Sequence, residues 1–259
     1  MSSSSHKFYH LHDIDPQVLL DTYTSDRKYL DELVIFPLKG IYKMLESGHI
    51  KGDTLIELST GAYVFDLFPF CNYFHNFFIL EFNRSSMKAL QKWMNKEPGV
   101  LDWIHASNIV AELEGCSVNW EEKEEDVRKR IKHILKCDIA NENLTDPVIL
   151  RNADCVFCFF VLEHISKTQD AFCANLKKVS SMLKPGGCLL LVSALNGTHY
   201  TVAEHKYHIL HHNEEDVRAA LQNTGFTIEQ WEVMESEIRN DVMYYEHIAF
   251  VSAVKNCDV

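Results

Sequence analysis

The sequence predicts an α/β protein built on a mostly parallel, doubly wound sheet, and three stretches carry that expectation. In residues 181–193 a helical end meets Pro185, which cannot continue a helix. Gly186 and Gly187, which tolerate positive φ, then lead into an apolar run at 188–192 of strand length. About one helix upstream, residues 156–162 form a second uninterrupted apolar run, as a strand buried on both faces of a parallel sheet requires. Near the front of the chain, 53–58 and 76–82 read as two strands with an aromatic-rich helix at 62–74 between them, which is one βαβ unit.

The remaining elements follow in order. Asp15 and Pro16 make a helix start, with Asp15 as cap and Pro16 at the first helical position. Residues 29–45 carry apolar side chains at mostly helical spacing, interrupted by Pro37, so that 1–50 reads as a helical cap before a turn at 48–52. Ser85 and Ser86 cap a helix through Leu90 and Trp93, and a third strand is expected near 109–113. Residues 121–135 predict a charged helix with Val127, Ile131, Ile134 and Leu135 along one stripe. Its charge run fits a solvated face with i,i+4 pairing better than a partner site. A fourth strand at 152–162, a helix at 171–183, a fifth strand at 188–194 and a helix at 214–223 closed by Gly225 complete the parallel part. Residues 226–235 and 247–254 alternate apolar and polar positions as an antiparallel pair does. Residues 197–212 read as a loop or a substrate-side insertion.

At 259 residues, 46% hydrophobic and 24% charged, the chain suits one globular domain, 1–259, with 51–259 as its core. A formal charge of −12 repels phosphate backbones and anionic lipid, which argues against nucleic-acid and membrane partners. The longest apolar runs are strand-sized and the N-terminus has no apolar signal core, so the expectation is a cytoplasmic protein. Eight scattered cysteines, five in apolar contexts, read as reduced thiols. Cys155 and Cys158, three apart on one strand, point to opposite faces and should not converge on a metal.

In a doubly wound sheet a nucleotide-like cofactor binds beyond the carboxyl ends of the strands, where strand order reverses. The loop after the first strand, 57–63, must then let its backbone approach the ligand, and Gly61 permits that. Glu81, ending the second strand, is placed either to accept from both ribose hydroxyls or to stand as a solvated strand-end acid. Asp138 reads as an acceptor for an adenine amine, with Ile139 as an apolar edge, or as a plain turn residue. Glu163 and His164 follow the fourth strand on the ligand side. His164 is a candidate base, although a capping or structural role accounts for it more simply. His205, His208, His211 and His212 lack a companion cysteine signature and read as an exposed cluster rather than a zinc site. Tyr244 and Tyr245 either line an acceptor pocket or simply precede the last strand.

Together, Glu97-Pro98, Asp102-Trp103, Leu113-Glu114-Gly115, Lys123-Glu124-Glu125, Leu135-Lys136-Cys137-Asp138, Ala153-Asp154-Cys155-Val156 and Leu183-Lys184-Pro185-Gly186-Gly187 resemble the nicotinamide, phenylethanolamine and indolethylamine N-methyltransferase family, in one order over nearly the whole chain. The resemblance implies a Rossmann-like class I methyltransferase fold, with a seven-stranded, mostly parallel sheet, an antiparallel last strand and helices on both faces. It implies a cytosolic, usually monomeric enzyme that moves a methyl from S-adenosylmethionine to the nitrogen of a small amine or pyridine. Carried over by position, it assigns to the cofactor Tyr23, Ser59, Thr60, Gly61, Phe65, Glu81, Phe82, Ser86, Asp138, Ile139 and Phe159, and to the acceptor Phe160, Ser193 and Tyr200. Tyr23 belongs to a segment that folds over the bound ligands in this family. The chain departs from the family pattern at Ser59, which replaces the first cradle glycine, and at Leu19 and Thr24, which stand where covering tyrosines are usual. It departs again at Phe65, Ser86 and Phe159, and at Ser193, which replaces an acid that orients the acceptor amide in the nicotinamide enzyme. These departures motivate a second reading, a catalytically weak or inactive methyltransferase-fold protein that acts by binding a ligand or partner.

Overall fold

Asp15 accepts hydrogen bonds from the amides of Gln17 and Val18 and so starts the helix α1, Pro16–Thr24, with Pro16 in its first turn. This computed structural model describes residues 6–101, 103–114 and 119–256. Residues 1–5, Asp102, Gly115 and two of the eight cysteines, Cys116 and Cys257, lie outside the described residues. Asp26 caps α2, Arg27–Leu30, and a π-helical turn at Asp31–Ile35 leads into α3, Phe36–Glu46. Pro37 sits in the first turn of α3, where its missing N–H forfeits no helical bond, so the segment continues instead of breaking.

The strands then build one sheet. β1 is Thr54–Ser59, β2 Asn76–Glu81, and between them a 3₁₀ stretch, Phe65–Asn72, replaces the expected α-helix because Pro69 lies inside it. Helices α4 (Arg84–Met94), α5 (Ile104–Glu114) and α6 (Trp120–Arg130) come before β3, Ile131–Lys136. β4 (Ala153–Phe159), α7 (Leu162–Ile165), α8 (Gln169–Ser181) and β5 (Leu183–Leu195) follow. A hairpin of β6 (His199–Val202) and β7 (His205–His208), helix α9 (Glu214–Asn223), β8 (Phe226–Glu235), β9 (Met243–Tyr244) and β10 (His247–Lys255) end the chain. The seven-stranded order is β3-β2-β1-β4-β5-β10-β8, with β10 antiparallel to both neighbours, as expected, and helices packed around the sheet. Strand order reverses between β1 and β4, which places the crevice outside their carboxyl ends.

Two expectations are corrected. Residues 109–113 belong to helix α5, and the third strand is instead Ile131–Lys136, at the end of the segment read as a charged helix. Val127, Ile131, Ile134 and Leu135 satisfy helical spacing, yet β3 is a half-exposed edge strand. Only its pairing with β2, Phe77 opposite Ile131 and Glu81 opposite Lys136, makes it extended. The stretch 197–212 is largely a β-hairpin, held by β9 in a small three-stranded sheet, and not a loop.

Helix α3 lies close on β10. A Cβ built on Gly40 would fall 2.6 Å from the ring of Phe250, nearer than packed atoms stand. Gly40→Ala is therefore expected to lower stability by about 1–2 kcal/mol, against alanine's better helix propensity, measured as a lower urea midpoint at unchanged m.

Candidate active site

The crevice is assembled from the ends of β1, β2 and β4. β1 delivers Glu57, Ser59 and Thr60, all buried, and then Gly61 at φ +106°, a conformation that suits glycine alone. β2 delivers Glu81 and Phe82, both buried. Asn83 caps α4 with its side-chain oxygen, which accepts from the amides of Ser85 and Ser86, and this holds Ser86 beside Glu81.

Into this cluster comes Tyr9, fully buried. Its O–H reaches both Glu81 oxygens, at 2.9 and 3.0 Å, and lies 3.2 Å from Ser86 Oγ; its oxygen accepts from the Gly61 amide at 2.7 Å. The Asn83 amide donates to the carbonyls of Tyr9 and His12 at 3.0 and 2.9 Å. Asp138 stands at the exposed rim, accepting from the Ala140 amide at 2.9 Å, with half-buried Ile139 next to it. Burial pushes His10 down to about 4, although the nearby Asp138 charge opposes the change.

The acceptor side lies beyond Phe159 and Phe160, packed edge to face at 4.9 Å, with Phe160 at φ +47°. Tyr23, Phe160, His164, Ala194, Tyr200 and Tyr245 surround a cleft whose side chains leave about 10 Å³, room for one water at most. Tyr245 thus lines the cleft, and its hydroxyl donates to buried Glu32 at 2.7 Å, which also accepts from Ser236 Oγ and the Glu237 amide. Tyr200 stacks between His164 and Tyr207, at 4.7 and 5.2 Å. Tyr63 and Phe65 pack together at 5.5 Å, with Tyr23 6.0 Å from Tyr63. Ser193 Oγ is engaged with His212 Nε2 at 3.1 Å. The four histidines are not a uniform exposed cluster: His205 and His211 are exposed, His208 is half-buried, and His212 is buried, with burial lowering it to about 4.

Burial separates the two candidate bases. It lowers His164 to about 3, so that its imidazole is neutral and weakly basic, and its Nδ1 has no hydrogen-bond partner. Burial raises Glu163 to about 7, against the opposing pull of the Ala194 amide, which donates to its Oε1 at 2.8 Å, and of the Ser193 hydroxyl. Glu81 rises to about 8 and Asp66 to about 7, both by burial, and Glu57 rises through burial and the Asp66 charge beside it. None of these acids forms an ion pair with a described basic residue.

The structure therefore brings Gly61, Glu81 and Ser86 to one polar point, gathers Phe160, His164 and Tyr200 at a neighbouring cleft, with Glu163 bonded to the amide of Ala194 that lines it, and leaves Asp138 and Ile139 at the rim. Sequence reasoning missed Tyr9, Glu57, Asp66 and Glu32. Glu57 carried a usable signal, a carboxylate inside an apolar strand; Tyr9 carried none.

Sheet order, crevice and cradle define a class I S-adenosylmethionine-dependent methyltransferase fold. The magnesium protoporphyrin IX methyltransferase of Synechocystis PCC 6803, solved with S-adenosylhomocysteine, superposes with a TM-score of 0.54 at 15% identity over 92% of this chain and 93% of that one. Within that class the chain belongs to the NNMT/PNMT/TEMT family, whose sequence profile matches residues 6–256. It is 36% identical to indolethylamine N-methyltransferase of Oryctolagus cuniculus over 199 residues, 77% of this chain and 76% of that one. It is 34% identical to nicotinamide N-methyltransferase of Homo sapiens over 197 residues, 76% and 75% of the two chains.

Glu81 and Glu163 hold their protons more tightly in the folded than in the unfolded chain. Between the ordinary carboxylate range and about pH 8 the folded state thus binds more protons, and stability falls as pH rises. Urea unfolding from pH 5 to 8 should show a decline of up to about 1.4 kcal/mol per pH unit for each group, and Glu163→Gln should flatten the part below pH 7.

Proposed function

We propose that this protein is an S-adenosylmethionine-dependent N-methyltransferase acting on a small amine or pyridine-type acceptor. The observation that carries the reading is the convergence of the Glu81 carboxylate, the Gly61 amide and Ser86 on a single hydroxyl outside β1 and β2.

The residues present fit the cofactor. Glu81 and the Gly61 amide match ribose hydroxyls, for which the Tyr9 phenol stands in. Asp138 and Ile139 would supply an acceptor for an adenine amine and an apolar wall for its ring edge. Glu57, buried and with no basic partner among the described residues, would face the cationic methionyl end. When bound, the cofactor supplies a methyl on a positive sulfur, which is a good leaving group. The protein's own part is to orient the acceptor nitrogen and exclude water, and orientation of this kind can supply roughly 7–11 kcal/mol. Phe160, Tyr200 and Tyr245 would form the dry aromatic wall. Glu163 Oε2 is the group we assign to take a proton from an ammonium acceptor, and His164 becomes a wall residue through its stack on Tyr200. Ser193, already engaged with His212, gives no support to nicotinamide as the acceptor.

We further read the chain as one domain, with 1–50 as a cap and 197–212 as an acceptor-side insertion, working as a cytoplasmic monomer. The net charge of −12 supports a small-molecule acceptor over nucleic acid or membrane. A second reading, a ligand-binding protein with little transfer activity, is favoured by the 10 Å³ left in the acceptor cleft.

Isothermal titration should show saturable binding of S-adenosylmethionine, weakened ten- to hundredfold in Glu81→Ala, in line with lost hydrogen bonds to a charged group. Labelled methyl should then reach at least one of tryptamine, phenylethanolamine, pyridine or a thioether. Binding without transfer to any of them supports the second reading, and no binding at millimolar cofactor defeats the first.

A further inference from the structure

Tyr9 makes contacts unlike those of an ordinary core tyrosine. Its ring is fully buried, yet the segment around it is not. In residues 6–14 only Tyr9 and Ile14 are buried, His12 and Asp13 are exposed, and Leu11 is 67% exposed. The segment is held by ring and hydrogen-bond contacts: Phe8 lies against the His208 ring at 4.6 Å, His6 is 5.8 Å from the His199 ring, and Asp13 accepts from Ser85 Oγ at 3.2 Å and from the Tyr207 hydroxyl at 3.4 Å. The Tyr9 hydroxyl meets Glu81, Ser86 and Gly61; the Asn83 amide grips two carbonyls; and Lys7 exchanges backbone hydrogen bonds with β7, its amide donating to the Lys206 carbonyl at 2.9 Å and its carbonyl accepting from the His208 amide at 2.8 Å.

We propose that Tyr9 is an intramolecular competitor for the cofactor's ribose anchor, so that S-adenosylmethionine binds only when residues 6–14 lift off Glu81 and Gly61. This inference rests on the cofactor reading above. A buried phenol and a ribose cannot share one carboxylate, one glycine amide and one serine at these distances. The donors and acceptors are the same, so the tyrosine satisfies groups that would otherwise be buried without partners.

The leash permits the motion. Asp15 remains fixed as the cap of α1, and Tyr9 lies six positions before it, which allows it to reach up to about 20 Å from that anchor. Displacement would unmake the Asn83 grip and the Lys7 bridge while leaving the seven-stranded sheet untouched. The measured affinity is then the intrinsic affinity reduced by the fraction of molecules in which the segment is open. Anything that weakens the docked segment should therefore tighten cofactor binding, whereas a residue that merely completed the binding site would do the reverse.

The test uses the full chain and S-adenosylmethionine itself. Tyr9→Phe keeps the ring and removes the hydroxyl. Asn83→Ser keeps a good helix cap and removes the amide that grips the segment, leaving Tyr9 unchanged. Calorimetry should give Kd values about tenfold tighter than the parent's in each variant. In the parent, the Lys7 and His208 amides should lose hydrogen-exchange protection when the cofactor is added. Equal or weaker affinity in both variants, with Lys7 and His208 protection unchanged on binding, overturns the proposal and leaves the cofactor assignment standing. Absence of binding in the parent and in both variants overturns the assignment and the proposal together.

Discussion

A carboxyl group taken out of water must be paired, hydrogen-bonded or protonated, and this protein buries several in its interior. Glu57, Asp66, Glu81 and Glu163 are raised by burial, and none pairs with a described basic side chain. Much of the surrounding structure answers to that constraint. The amide of Asn83 and the phenol of Tyr9 donate to Glu81, and the amide of Ala194 donates to Glu163. Glu81, with two donors, still rises to about 8, so burial outweighs the hydrogen bonds that oppose it.

The fold was legible where burial on both faces selects mostly apolar residues. The inner parts of β4 and β5 are apolar for that reason, and the Pro185-Gly186-Gly187 junction marks where a helix yields to a central strand. β3 was not legible, because an edge strand with alternating exposure takes its extended form from β2 and leaves a pattern that a helix also satisfies. Helix α5 was read as strand for the complementary reason, its Ile109, Val110 and Leu113 being apolar enough for either. That Gly61 and Glu81 come together was legible because topology alone puts the ends of the first two strands side by side. Tyr9 touches Glu81 across 72 positions of sequence, and no periodicity or spacing announces a contact of that kind.

The His164, Tyr200 and Tyr207 stack and the Glu32 cluster form a wall contributed by the N-terminal helices, α7, the hairpin and the segment before β10. That wall is drawn from elements far apart in the chain, and motifs of the shared core say little about it. Ser193 illustrates the point. Its difference from the nicotinamide enzyme is visible in the sequence, but its partnership with His212 is visible only in the fold.

Asn83 joins two otherwise separate parts of the molecule. Its carbonyl oxygen begins α4, and its nitrogen holds the backbone at Tyr9 and His12. Aspartate would serve the first task and offer no hydrogen to the second, and glutamine carries the right groups one carbon too far out. Position 83 accordingly has little freedom if the start of this helix and the hold on the leading segment are both to be kept, and serine there would spare the first while giving up the second.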